Sequence, residues 1–518
     1  MANLFEHKDR RVVPNWRSFG KTTVLGELNS IQVERTIQTN IISIDDYIID
    51  WKNNKTVIHA ADLMSAGLVN NFQENNDVIE AANFVIHNSH KATFSQISLA
   101  NKILKRPEIV NLSDAFKTIT FDNFTELINP APIQQKIRET KETINFYPYN
   151  PILYVELSRY YSILGNREKA IKAMKTALHL SSNNRFVLRS ATRLFAHYDE
   201  LEIAHDILRK SPLTNHDPWL TSAEISIATI RNRNSTFIKK GIELINSKNI
   251  SPFNFTELAS SIGTVELLNG SLKKSREFFN KSLINPNDNS LAQVEWASIK
   301  ENQLNLNASN YIVGLNFEAL ALDNFQKNEY DLALDNAAKW FMDMPFSKRP
   351  IMFGSNLAST ILKDQEKSIS FLNAGLHSHP NDPQLINNLA YALALDNRAK
   401  EAFDHLNKIK NENQLDEMTK TCLLATRGLA TFRSGFPDFG RKLYLEAIER
   451  TKKANNQSLN WVAILNYARE EIRIASEYVE PIMEVVNKIP SETKEIEVNV
   501  LRNDILAAYE LFKQSGNK

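Results

Sequence analysis

Cysteine is nearly missing from this chain. Cys422 is the only one among 518 residues. That excludes an intramolecular disulfide framework and fits a reducing compartment. Glycine and proline are also scarce, at 14 and 17. Such numbers are low for an all-β protein with many turns and suit a helical one. An excess of charge is missing as well: 61 Lys and Arg stand against 60 Asp and Glu. A balanced chain has no global attraction to nucleic acid or to an anionic membrane, so a charged partner has to be read by a local patch. No run of about 18 uncharged apolar residues occurs, so no transmembrane helix is expected. The first residues, MANLFEHKDRRVVPNW, lack the continuous apolar core of a signal peptide. These absences give the expectation of a cytoplasmic protein. Frequent Asn, Ile and Lys match an AT-rich genome and give the expectation of a bacterial source.

Catalytic signatures are missing too. FGKTT (19–23) has the end of a phosphate-binding loop, but Asn15 stands where the first glycine is needed. Without that glycine-rich turn the backbone amides cannot wrap a phosphate. His87 and His90 lie three apart near a predicted helix end, with no HExxH, no CxxC and no carboxylate in phase. They read as surface histidines. His377 and His379 flank Ser378, where their side chains diverge. Cys422 stands near a helix start with no base beside it in sequence. Asp45 and Asp46 read as first-turn acids at a helix N-terminus. No GxSxG elbow occurs. The expectation is no catalytic residue, no metal and no cofactor.

What is present is a period. In NNLAYALALDNRAKEAFDHL (387–406), Ala390 and Ala402 stand where a buried helix would carry Leu or Ile. Ala402 has counterparts at Ala170, Ala204, Gly241, Ser275, Ala333, Ser368 and Gly440. Most steps between them are 34 to 38 residues, and the step from Ser275 to Ala333 is 58. Twelve residues earlier stand Ser158, Thr192, Gly263, Ala321, Ala390 and Gly428. A unit of this length holds two helices of about 12–14 residues and two short turns. Small residues let the two helices approach at their crossing, and one pair alone cannot bury its apolar face.

These positions resemble the tetratricopeptide repeat (TPR) family over about residues 149–454. The best matches are NPILYVELSRYYSILGNREKAIKAMKTALHL (150–180), 317–345, 383–410 and 424–449, with Ser158, Ala170 and Ala177 at the small positions of the first. The resemblance implies an all-α fold: a right-handed superhelical solenoid of antiparallel helix pairs with divergent helical ends. It also implies that the first helix of each pair faces the concave surface. Applied to this chain, that gives Arg159, Arg189, Arg193 and His197 in the early repeats. In the later repeats it gives Asn387, Tyr391, Leu429, Phe432 and Arg433. The early set is a basic stripe that either binds an acidic segment of a partner or pairs with acids of the chain such as Glu156 and Glu200. The Lys, Asn and Arg set of the family's carboxylate clamp is not present in order.

The domain organisation follows. Residues 149–299 and 317–454 form two TPR-like halves. Residues 300–316 are irregular, either a hinge or a divergent repeat. Trp340 replaces a small residue and is expected to widen its crossing, and the repeat around 217–250 is poor. Residues 30–148 form a helical N-terminal region, as divergent repeats or a separate domain. Helices are expected at 43–51 with Ser43 as N-cap, at 55–69, 76–88, 95–104 and 132–145, and FKTITF (116–121) alternates like a strand. Amphipathic segments at 460–479 and 492–513 fit capping helices within 455–518. Residues 1–29 form an extended basic and aromatic arm with Arg10, Arg11, Trp16, Arg17 and Phe19 as its contact residues. Pro14 disfavours a helix there. The arm docks either on the chain's own solenoid or on a partner.

The expected function is a non-enzymatic TPR scaffold or adaptor, binding a partner protein on its concave surface as part of a bacterial multiprotein system. An RNA-binding helical-repeat protein is the alternative, favoured by the stripe and by RNRN (231–234) but opposed by the neutral charge. An enzyme with a cryptic N-terminal site is the second alternative.

Overall fold

The computed structural model describes residues 13–19, 44–69, 72, 74–104, 116, 118–127, 130–247, 250–306, 313–493 and 495–516. Among the described residues every regular element is helical. The helices form pairs stacked in chain order: Pro151–Ile163 with Arg167–Leu180, Arg185–His197 with Leu201–Lys210, Pro218–Ile230 with Ile238–Asn246, and Pro252–Leu268 with Leu272–Ser282. The second half continues with Phe317–Gln326 and Tyr330–Asp343, then Lys348–Asn356 and Gln365–Ser378, Pro383–Leu395 and Ala399–Leu406, and Glu417–Arg433 and Pro437–Lys453. The chain is an all-helical repeat solenoid.

Local chemistry sets each pair. Proline stands in the first turn of the Pro151, Pro218, Pro252, Pro383 and Pro437 helices, where its missing N–H costs nothing. Asn150, Asn184, Asp217 and Asp382 cap helix starts with side-chain oxygens. Most pair turns hold a left-handed residue, among them Gly165, Asn232, Gly270, Asn328, Asn397 and Gly435. Asn tolerates that conformation, and Gly adopts it freely.

The small residues are the crossings. The Ser158 hydroxyl donates to the Ala170 carbonyl at 2.8 Å, and Ser275 donates to the Gly263 carbonyl at 2.9 Å. A Cβ on Gly440 would stand 2.8 Å from the Gly428 carbonyl oxygen. Ala390 and Ala402 have no exposed surface. At these points one backbone lies against the other, which leaves no room for Leu or Ile. Gly241 keeps the same role in the weak repeat, where a Cβ would meet Leu258 and Ile262. Trp340 is buried beneath the Arg349 guanidinium, 5.1 Å from its ring centre.

Burial separates two layers. The Pro218–Ile230 helix buries eleven of its thirteen residues, whereas Leu201–Lys210 buries only Ala204, His205 and Leu208. In these repeats the first helix Pro218–Ile230 is enclosed on nearly all sides, and the second helix Leu201–Lys210 is wet on its outer face.

The 58-residue step has a plain cause. Among the described residues, Asp288–Lys300 is a first helix with no second helix after it. In its place the described residues of 301–316 carry only the short 3-10 turn Asn302–Leu304. Arg276 holds that turn by donating to the Leu304 carbonyl at 2.8 Å. Residues 307–312 lie outside the described residues.

The N-terminal region is helical, with Ile44–Asn53, Val57–Val69, Asn76–His87 and Phe94–Ile103 around a core of Trp51, Leu63, Met64, Val78 and Val85. Ala60, Ala81 and Ala82 are fully buried there, while Ser43 lies outside the described residues. Asp45 and Asp46 stand in a first helical turn. The alternating FKTITF segment is not a strand: Phe121–Leu127 is a helix whose N-terminal amide at Phe121 donates to Asp335 at 2.8 Å. Its rings pack onto the second half, with Phe124 on Phe371 at 4.8 Å and Phe116 on Phe317 at 4.9 Å. Alternation there reports ring packing, since no neighbouring strand offers a ladder. Pro130–Phe146 then leads into the first pair. At the other end Gln457–Arg473 stops earlier than its amphipathic pattern, because Ala475 takes a left-handed turn into Val479–Val486. Ile496–Gly516 closes the described chain.

Candidate functional site

The first pair and the middle of the chain meet. The Pro151–Ile163 helix lies against Gln365–Ser378. Gly165, at a φ of 68°, has no room for a Cβ, which would stand 2.9 Å from Pro380. Between these elements runs an inner cleft. Its walls are Val155, Glu156 and Arg159 on the first helix, Phe186, Arg193 and His197 on the third, Asp288 at the start of its helix, and the turn Asp343–Ser347.

Residues 13–19, VPNWRSF, occupy the cleft without regular secondary structure as far as Ser18. Pro14 fixes its own φ and biases Val13 toward an extended form. Val13 and Trp16 are each 1% exposed and share the core of the first repeats. The Trp16 ring packs on Phe346 at 5.2 Å, and Phe19 meets Phe186 edge-on at 5.2 Å. Arg17 is the centre. Its Nε donates to Asp343 Oδ2 at 2.7 Å and its terminal nitrogen to Asp288 Oδ2 at 2.6 Å. The same nitrogen reaches the Leu315 carbonyl at 3.4 Å. Burial opposes the charge, and the two carboxylates more than offset it, so the Arg17 pKa is raised and the guanidinium stays protonated. Asn15 donates to Asp288 at 2.7 Å. An extended backbone also needs partners: the Phe19 amide donates to Glu156 at 2.5 Å, and Arg159 Nε donates to the Trp16 carbonyl at 3.4 Å.

The predicted stripe is largely spent inside the molecule. Arg159 is 6% exposed and faces the arm's backbone and the Asp343 carbonyl. Arg189 makes a two-pronged pair with Glu257 at 2.8 and 3.0 Å and lies over the Trp219 ring. Arg193 is 1% exposed, donates to Ser347 at 3.4 Å and covers Phe346. His197 packs on Phe346 and on His379, whose Nε2 lies 2.8 Å from the Phe346 carbonyl oxygen. An open basic surface is therefore not what these residues form: Arg159, Arg193 and His197 are walled in by the 343–347 turn, the arm and His379, and Arg189 is held by Glu257 and Trp219. Glu200 pairs with Arg167 rather than with the stripe.

The later set lies elsewhere. Asn387, Tyr391, Cys422, Tyr444 and Asn466 line a cavity of about 50 Å³, room for a few waters and far short of a small-molecule pocket. The Tyr391 hydroxyl donates to Asn466 at 2.7 Å. Phe432 is 2% exposed. Arg433 grips the fully buried Glu470 at 2.7 and 3.0 Å, as Arg441 grips Glu471 at 2.6 and 3.0 Å. These two pairs join the 417–453 repeat to Gln457–Arg473.

Of the arm residues, Trp16, Arg17 and Phe19 come together in the cleft, and Arg10 and Arg11 lie outside the described residues. Sequence reasoning missed Asp288, Asp343, Phe186 and Phe346. Asp288 follows helix-capping custom, and the others sit at helix ends or turns, so periodicity gave them no mark. His87 lies on a helix with its Nδ1 2.8 Å from the Asn83 carbonyl oxygen.

A helical-repeat solenoid whose inner cleft holds an extended segment is the class of protein that this fold and site define. No protein-family model and no curated protein matches the chain. Among solved structures it is similar to yeast Tom70, at 13% identity and TM-score 0.31, over 89% of this chain and 96% of that one. It is also similar to human IFIT1, solved as a dimer with PPP-AAAA, at 11% identity and TM-score 0.29, over 96% and 100%. Naa15 in the Naa15/Naa10 structure bound to HypK-THB gives 12% and 0.26, over 89% and 84%. Among the described residues no helix is long and apolar enough to cross a membrane.

Proposed function

We propose that this chain is a non-enzymatic helical-repeat adaptor that recognises an extended segment of a partner protein in its inner cleft. One observation carries the reading. The cleft already holds an extended segment, through its backbone, two aromatic rings and one guanidinium. Those are the contacts by which a rigid scaffold reads a linear peptide: main-chain bonds give grip and side-chain pockets give choice. The predicted residues Arg159, Arg193 and His197 take part as cleft walls. Because Asp288, Asp343 and Glu156 hold the cationic side chain and an amide, a cationic segment suits the cleft better than an acidic one.

RNA binding has little to stand on. Arg189 and Arg193 are occupied internally, and the net charge is +1. Phosphate contacts would need free cations and would weaken steeply with salt.

The test is a tagged purification from the native host at moderate salt, with proteins and nucleic acids in the eluate identified. A stoichiometric protein companion that survives a salt wash is expected. RNA alone, lost as salt rises, would overturn the adaptor reading.

A further inference from the structure

The segment in the cleft behaves as a ligand would. It has no regular secondary structure as far as Ser18, and Phe19 is 37% exposed. It contacts residues from 137 to 326 positions away. Its fit is also incomplete. Trp16 Nε1 and Asn15 Oδ1 are buried with no hydrogen-bond partner among the described residues. Each such group weakens the docked state, by about 1–3 kcal/mol.

We propose that residues 13–19 are a resident competitor, and that the cleft's true occupant is an extended partner segment carrying a bulky aromatic followed by arginine. The inference rests on the adaptor reading and adds its ligand chemistry and its control. The aromatic enters the space between Phe346 and the first-pair core. The arginine takes the place between Asp288 and Asp343. A planar guanidinium fits the position: Nε and a terminal NH2 both reach Asp343, and the same NH2 also reaches Asp288. Binding and arm docking exclude each other, so the free chain is held closed until a better-fitted segment displaces its own.

The competition has a size. A tethered segment acts at an effective concentration of order 1 mM. Against a peptide that binds the open cleft at ~10 μM, it weakens apparent binding about a hundredfold.

The probe is a labelled peptide of residues 12–19, VVPNWRSF, read by fluorescence anisotropy. The proteins are the full chain and its Trp16→Ala/Arg17→Ala variant. The variant is expected to bind at least tenfold more tightly than the parent, and a peptide carrying Arg17→Glu should lose at least tenfold on the variant. Equal binding by parent and variant would overturn the proposal, and so would no binding by a variant that melts like the parent. Should the variant fail to fold, a protease site inserted between residues 25 and 26 keeps the test open. After cleavage the labelled peptide should exchange with the cut arm, and failure to exchange overturns the proposal. A parent dimer that the two substitutions dissociate would place a second copy's arm in the cleft and overturn control within one chain. A chain that ignores the peptide yet retains a stoichiometric protein companion sinks this inference alone; peptide binding with no companion sinks the adaptor reading.

Discussion

Arg17 is one guanidinium that joins two carboxylates 55 residues apart, Asp288 and Asp343. Removing one partner of such a buried cluster leaves the others desolvated and facing each other. Arg17→Ala should therefore speed amide hydrogen exchange in the Asp343–Ser347 turn and at the Pro151–Ile163 helix, with exchange near Gln457–Arg473 unchanged; uniform exchange across all three would contradict the assignment. Glu295 gives a second residue-scale test. It is 6% exposed, and burial, then Asp323, push its pKa up to about 7. The folded state thus keeps a proton that the unfolded chain releases, so stability falls as pH rises from about 4.5 to about 7 and then levels off. Glu295→Gln should leave the melting midpoint nearly unchanged at pH 4.5 and stabilise the chain at pH 8, by roughly 1–3 kcal/mol. A gain of equal size at both pH values would exclude this cause.

At the scale of elements, the helix pairs were legible because their physics is local and repeated. Ser158 with Ala170, Gly263 with Ser275 and Gly428 with Gly440 each mark a close crossing twelve residues apart, and all three occur as read. Gly440→Val should destabilise the chain by about 1–3 kcal/mol, through overpacking against the Gly428 carbonyl and Phe432, seen as a lower urea midpoint. Segments that pack at long range were not legible. FKTITF alternates, yet its rings, Phe116 and Phe121, pack on Phe317 and Phe371, more than 200 residues away. Phe124→Ala should cost about 3–5 kcal/mol and loosen the 330–378 repeats rather than the first pair, which proteolysis can localise. After Lys300 the described residues carry no second helix, and in sequence that shows only as a long step, since a period does not say what stands in an element's place.

For the whole molecule, the solenoid is closed by its own early chain. The arm joins the first pair to the Asp288 helix and the 343–347 turn, and 116–127 fastens onto the second half. Sequence reading reached the arm's chemistry from its Trp, Arg and Phe but could not choose between its own solenoid and a partner. That choice depends on Asp288 and Asp343, which only folding brings together. It also placed Arg189, Arg193 and Arg433 on a surface, because repeat position tells which helix face a side chain takes and not what stands opposite it. Here Glu257, Ser347 and Glu470 stand there.

The central claim is that the arm lies inside the cleft. Fluorine NMR of the chain labelled with 5-fluorotryptophan tests it most directly, with the Trp16 signal assigned by Trp16→Phe and a soluble paramagnetic agent reporting exposure. The account predicts that Trp16 is shielded as fully as Trp51, the two being 1% and 0% exposed. A Trp16 signal that broadens like that of a free peptide would place the arm in solvent and contradict the occupied cleft.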